Sequence, residues 1–284
     1  MTHLIALIDG SGYSQSVRDL SRWVAERTAA SVELMHVLGR RGVGAEPADL
    51  SGNLKLGART ALLQELADLD EQKAKLELKR GRLLLEEAKS GLEEAGLSSV
   101  STKLRHGDLI DAIGEFEGDA DLIVIGKRGE AADFAKLHLG SNLERVVRSA
   151  TKPVLVASRT FKPINKFLIA FDGGESAMKA VRHIANGKLF LGLPCVLLCV
   201  GKPTDSLQEK LDDAAALLRK AGYEVKAGFE AGDPEDVIKN RIESDNIDLL
   251  VMGAYGHSRI RNLIIGSTTT EMVRSCQVPV MMFR

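Results

Sequence analysis

HLIALIDGSGYSQSVRDLSRWVAERTAASVELMHVLG, residues 3–39, and KFLIAFDGGESAMKAVRHIANGKLFLGLPCVLLCVG, residues 166–201, decide how the chain is read. Each opens on a short apolar run ending in an aspartate, Asp9 or Asp172, and continues through a Gly/Ser loop. An amphipathic helical pattern and a second apolar run follow. Further on, HGDLIDAI (from His106) matches AGDPEDVI (from Ala231), and DADLIVIG (from Asp119) matches NIDLLVMG (from Asn246). LGSNLERVVRSATKPVLVAS (from Leu139) matches IGSTTTEMVRSCQVPVMMFR (from Ile265). Blocks repeated in one order mark a tandem duplication.

Within each copy, short continuous apolar runs alternate with helical patterns. That alternation predicts an α/β fold with a parallel sheet covered on both faces. Right-handed crossovers then give two tandem, doubly wound, five-stranded sheets, Rossmann-like, in the order 3-2-1-4-5. The expected modules are residues 1–158 and 164–284, joined near Ala157–Lys166, where Pro163 suits a connection. In such sheets strands one and four flank the point where strand order reverses, and ligands bind beyond their C-terminal ends.

The copies differ in length. Asp9 to Gly126 spans 117 residues and Asp172 to Gly253 spans 81, so the first copy carries 36 more. The surplus lies around residues 41–80 and reads as strongly helical. Leu62, Leu66 and Leu69 form one apolar stripe, and Leu85, Ala88, Leu92 and Ala95 form a second, which matches the ordinary repeat helix. Gly81 is expected to weaken the middle. The extra helix could cover a partner subunit or fold back onto its own module.

At 284 residues the chain can bury two ordinary cores. A formal charge of -1 offers no electrostatic case for nucleic acid or an anionic membrane, and 4% aromatics leaves little for base stacking. The chain enters a strand-like run at once, with no signal peptide or membrane span in view, so a cytoplasmic protein is expected. Cys195, Cys199 and Cys276 read as small buried hydrophobes. His36, His106, His138, His183 and His257 are dispersed, and no metal site is expected.

VMGAYGHSRIRNLIIGSTTTEMVR, residues 251–274, places Gly253 and Gly256 three apart, then nine residues, then Gly266-Ser267 ahead of a helical stretch. A strand, a glycine-rich turn and a helix N-terminus can hold a phosphate. The same residues also suit ordinary turns and a helix cap.

An Asp-terminated strand followed later by Gly-x-x-Gly, nine residues and Gly-Ser resembles the universal stress protein family, over nearly the whole chain. The resemblance implies ATP as ligand, with Mg2+ as the ion that could accompany it. Gly253, Gly256 and Gly266 would bring backbone close to the phosphates, and Ser267 and Thr268 would supply hydroxyl and amide donors. Asp172 would contact the ribose and Val200 would line the adenine pocket. His257 and Arg259 stand on the loop between the glycines, either screening the phosphates or as a solvated basic loop. The N-terminal copy retains Asp9, Gly126, Gly129, Gly140 and Ser141, but ten residues separate its second and third glycines. Glu130, Asp133 and Phe134 enter that loop, and carboxylates near a polyphosphate repel it unless a metal intervenes. The C-terminal site is therefore expected to be the better one.

No catalytic constellation stands out. The expectation is a cytoplasmic stress-response regulator that binds ATP in its C-terminal module, with hydrolysis slow if it occurs. The alternatives are a pseudo-dimeric scaffold without nucleotide, an ATP-consuming enzyme, or a pocket for AMP or an apolar molecule. Family modules commonly pair through their last strands, so VPVMMFR and KPVLVAS could pair within one chain, and two chains could form a homodimer.

Overall fold

A computed structural model of the chain describes residues 1–39, 56–129, 141–254 and 267–284. The first half runs β1 (His3–Leu7), α1 (Ser14–Thr28), β2 (Ser31–Leu38), α2 (Leu56–Glu94), β3 (Val100–His106), α3 (Leu109–Phe116), β4 (Leu122–Gly126), α4 (Ser141–Ser149) and β5 (Val154–Ala157). The second repeats it as β6 (Phe167–Ala170), α5 (Glu175–Asn186), β7 (Cys195–Val200), α6 (Asp205–Lys220), β8 (Val225–Glu230), α7 (Pro234–Ser244), β9 (Leu249–Gly253), α8 (Ser267–Ser275) and β10 (Val280–Phe283).

The strands lie in the order β3-β2-β1-β4-β5-β10-β9-β6-β7-β8. Each half therefore has the expected 3-2-1-4-5 order with parallel neighbours. The last strands of the two halves pair, as the resemblance allowed, and join the two sheets into one. Val280 pairs with Val156, Met281 with Leu155 and Met282 with Val154 in an antiparallel join. Each of these short apolar strands would otherwise be an exposed edge, and pairing them satisfies both backbones in one continuous sheet.

The inner strands β1, β4, β5, β6, β7, β9 and β10 are apolar on both faces because both faces are covered, while the outer β3 and β8 carry polar residues. Leu4 and Ala6 point to one layer, with Val17 and Leu20 of α1, Leu85 and Leu92 of α2, and Phe167 and Ile169 of β6. Ile5 and Leu7 point to the other, with Ile113 of α3, Val146 of α4, Ile238 of α7 and Met272 of α8. Both layers run across the join. Lys127 also spans it, donating to the Cys276 carbonyl at 2.7 Å. Burial lowers its pKa to about 8. All three cysteines are free and buried.

The insertion and the repeat helix form one 39-residue helix, α2. Gly81 does not interrupt it. A Cβ there would meet His36 and Leu104 at 2.9 Å, so the glycine is where the helix comes down onto β2 and β3. After this point Leu85, Ala88 and Leu92 are buried, whereas Leu66, Leu69 and Leu76 before it are exposed. The first stripe does not fold back onto its own half.

Candidate functional site: paired crevices at the strand-order switch points

β1 lies beside β4, and β6 beside β9, so each half has a switch point at the C-terminal ends of those strands. Both aspartates follow the first of these strands and build the same turn. Asp9 Oδ1 accepts the Ser11 N–H at 3.0 Å and the Ser14 hydroxyl at 3.3 Å. Asp172 Oδ1 accepts the Gly174 N–H at 2.8 Å. The intervening glycines take left-handed conformations, φ +75° at Gly10 and +70° at Gly173, which explains glycine at both positions. A helix crosses over each turn. A Cβ on Gly10 would meet Leu84 of α2 at 3.0 Å, and one on Gly173 would meet Leu207 of α6 at 2.7 Å.

The first motif glycine has a packing role in both halves. A Cβ on Gly126 would meet Tyr13 Cβ at 2.8 Å, and one on Gly253 would meet Ser176 Cβ at 3.0 Å. Tyr13 and Ser176 occupy matching positions beside the first helix, so these glycines let that helix approach the fourth strand. Gly129 behaves differently. A Cβ there would lie 3.1 Å from Asp9 Oδ2, so its missing side chain keeps space clear against the carboxylate.

The N-terminal crevice is a cavity of about 390 Å³, with Asp9, Val37, Gly126, Gly129, Asp108 and Arg145 among its walls. Its size falls within the usual range for small-molecule pockets. Asp9, Gly126 and Gly129 are thus brought together as read from the sequence. Gly140 lies outside the described residues, and Ser141 is the first residue of α4. Val37 is the residue that sequence reading passed over. It pairs with Arg105 of β3 as Val200 pairs with Glu230 of β8, which makes it the counterpart of Val200. Aligning the two copies residue by residue would have found it. Beside it, His36 Nδ1 donates to the Ile8 carbonyl, which fixes the ring at the crevice floor.

The mouth of this crevice carries a charge pair that the sequence reading also missed. Asp108 caps α3 through the Ile110 N–H at 2.8 Å. Its carboxylate receives Arg145 Nη2 at 2.8 and 2.6 Å. The Arg145 hydrogen bonds, then the Ile110 amide, hold the Asp108 pKa below the usual carboxylate range.

In the second half, Asp172, Val200 and Gly253 stand at or just beyond the C-terminal ends of β6, β7 and β9, which are neighbours in the sheet. Gly256, His257, Arg259 and Gly266 lie outside the described residues. Ser267 and Thr268 are the first two residues of α8. Cys199 takes the place of His36, and burial together with the nearby Asp172 charge pushes its thiol pKa up. Asp233 caps α7 through the Glu235 N–H at 2.9 Å, as Asp108 caps α3. Glu271 stands where the first half has Arg145. Glu235 is pushed upward in pKa by partial burial and then by the charges of Glu271, Asp233 and Asp236. Among the described residues, Arg145 neutralises Asp108 in the first half, whereas Glu271 is paired with Arg274 on its own helix and leaves Asp233 with no counterpart of that arginine.

The model of the universal stress protein family matches residues 1–158 and 200–284. Residues 159–199, which include Asp172, fall between the two matches, although β6 and α5 repeat β1 and α1 in the structure. The universal stress protein Slr1230 of Synechocystis sp. is 39% identical over 287 residues, with all of both chains covered. Among solved structures, a universal stress protein from Archaeoglobus fulgidus has a TM-score of 0.67 at 20% identity, covering 99% of this chain and 96% of its own. A putative universal stress protein from Pseudomonas aeruginosa has a TM-score of 0.64 at 17% identity, covering 100% of this chain and 93% of its own. With one family model on both halves and an end-to-end relative, the chain belongs to the universal stress protein family.

Proposed function

We propose that this chain is a cytoplasmic stress-response regulator that holds ATP in its C-terminal module, residues 164–284, and changes its association with partners according to occupancy. The observation that carries the reading is the placement of Asp172, Val200 and Gly253 at neighbouring strand ends, with α8 opening at Ser267 directly after Gly266. Asp172 is exposed, and a carboxylate there can accept hydrogen bonds from ribose hydroxyls. The fit depends on missing side chains. A Cβ on Gly174 would press on the Asp172 carboxylate at 2.9 Å. Val200 would pack against adenine, and the amides at the start of α8 would receive phosphate oxygens, where an anion is favoured. His257 and Arg259 would screen phosphate charge, and Mg2+ would arrive with the nucleotide.

Bound ATP would stabilise the folded module by mass action and bias the surface it presents. In this reading the N-terminal module, residues 1–158, holds the weaker site, with Asp9, Gly126, Gly129, Gly140 and Ser141 around it. Its longer glycine loop carries Glu130 and Asp133. Native mass spectrometry of the freshly purified chain tests the reading. A retained ATP mass that disappears in Gly266→Asp supports it. No retained or titratable nucleotide means a scaffold, and rapid phosphate release means an ATPase.

A further inference from the structure

The first half of α2 is a long, solvent-exposed helix with a leucine stripe. Leu63, Leu66, Leu69, Leu76 and Leu83 are 51%, 46%, 60%, 67% and 61% exposed. Leu62, Leu69, Leu76 and Leu83 recur every seven residues, and Leu66 fills the intervening core position between the first two. A seven-residue period is the repeat by which helices supercoil around one another, each leucine entering a hole on the facing helix. The helix comes down onto its own sheet at Gly81, and the stretch from Leu63 to Lys73 is exposed. A lipid surface is a poor occupant, because Glu65, Asp68, Asp70 and Glu77 lie on or beside the stripe and membrane-lying helices carry a basic polar face.

The charges say what fits. In a parallel pair, the core position after Leu66 would stack Lys73 on Lys73. In an antiparallel pair centred near residue 71, Leu66 lies opposite Leu76 of the second copy, and Lys73 opposite its Leu69. Lys73 can then extend its ammonium to Asp70 of the second copy, its stem lying along the leucines. On the other flank Glu65 faces Lys79 of the second copy, and the contact recurs by symmetry. Asp70 also faces Asp70 of the second copy on the first flank, with the two Lys73 ammonium groups between the carboxylates, so the segment fits itself better in this orientation than in the parallel one. The two sheets then sit at opposite ends of the bundle.

We propose that residues 62–79 form an antiparallel two-helix coiled coil with the same segment of a second copy of this chain. Sedimentation equilibrium on the full chain should give twice its 30.7 kDa mass, dissociating on dilution. Leu66→Glu/Leu69→Glu changes exposed positions and should leave the circular dichroism spectrum intact while weakening the dimer at least about 100-fold. Glu65→Lys should weaken it about two- to fivefold, and adding Lys79→Glu should restore it. Gln72→Cys should form an intermolecular disulfide, because only the antiparallel arrangement brings that position against itself, and the native cysteines are buried. A monomer at every concentration overturns the proposal, as does a dimer undiminished by the leucine changes. A dimer that Gln72→Cys does not cross-link overturns the orientation.

Discussion

Arg145 pairs with Asp108 at the mouth of the first crevice, while the second half places Glu271, paired with Arg274, at the matching position near Glu235. The frames beneath these mouths are alike: an aspartate-held turn with a left-handed glycine, and a first motif glycine that makes room for a helix. The difference teaches that duplication preserves what backbone geometry requires and leaves free what side-chain charge supplies. The turn cannot lose its glycine without strain, whereas the mouth can exchange arginine for glutamate without altering a strand.

The strongest attempt to break the comparison is Gly266→Asp, which sets a carboxylate where the phosphates are proposed to lie. ATP binding measured by calorimetry should fall more than about 100-fold. Asp172→Ala against Asp9→Ala comes next. The first should weaken ATP by about 10- to 100-fold, the worth of hydrogen bonds to a charged group, and the second hardly at all. Equal losses would place the functional site in both halves, and a reversed order would place it in the first.

Smaller effects sharpen the shared frame. Gly126→Ala must push on Tyr13 Cβ at 2.8 Å and should lower unfolding stability by about 1–3 kcal/mol in denaturant titration. Gly253→Ala, meeting Ser176 at 3.0 Å, should cost less. The smallest effect belongs to the mouth. Arg145→Ala removes a half-exposed ion pair worth under about 1 kcal/mol, a shift of about 2–4 °C or less in Tm at neutral pH. Because the folded pKa of Asp108 is lowered, its contribution is present above the unfolded carboxylate value near 3.9 and is lost as pH falls through the folded value. The difference between wild type and Arg145→Ala should therefore shrink in acid. A gap that grows in acid would mean that the pair does not act through Asp108.

Fold and candidate site were legible to different depths in the residues. Strand order and the pairing of Asp9 with Gly129 follow from apolar runs, glycines and repeats, which are local signals. The packing role of Gly81 was not legible, because helix propensity counts a glycine only as a cost and its close approach to His36 and Leu104 is made elsewhere in the chain. Arg145 and Asp108 lie 37 residues apart, and nothing in either neighbourhood announces the other. Val37 was readable by aligning the copies.

The sequence by itself determined the duplication, the parallel α/β architecture and the family, because periodicity and glycine placement are written along the chain. The resemblance allowed the last strands to pair; only the tertiary structure decided that they do, that the inserted helix runs on into the repeat helix, and which charges lie at the first crevice. Those outcomes depend on which surfaces meet after folding, where an edge strand is satisfied by its partner and a side chain by a neighbour far away in sequence.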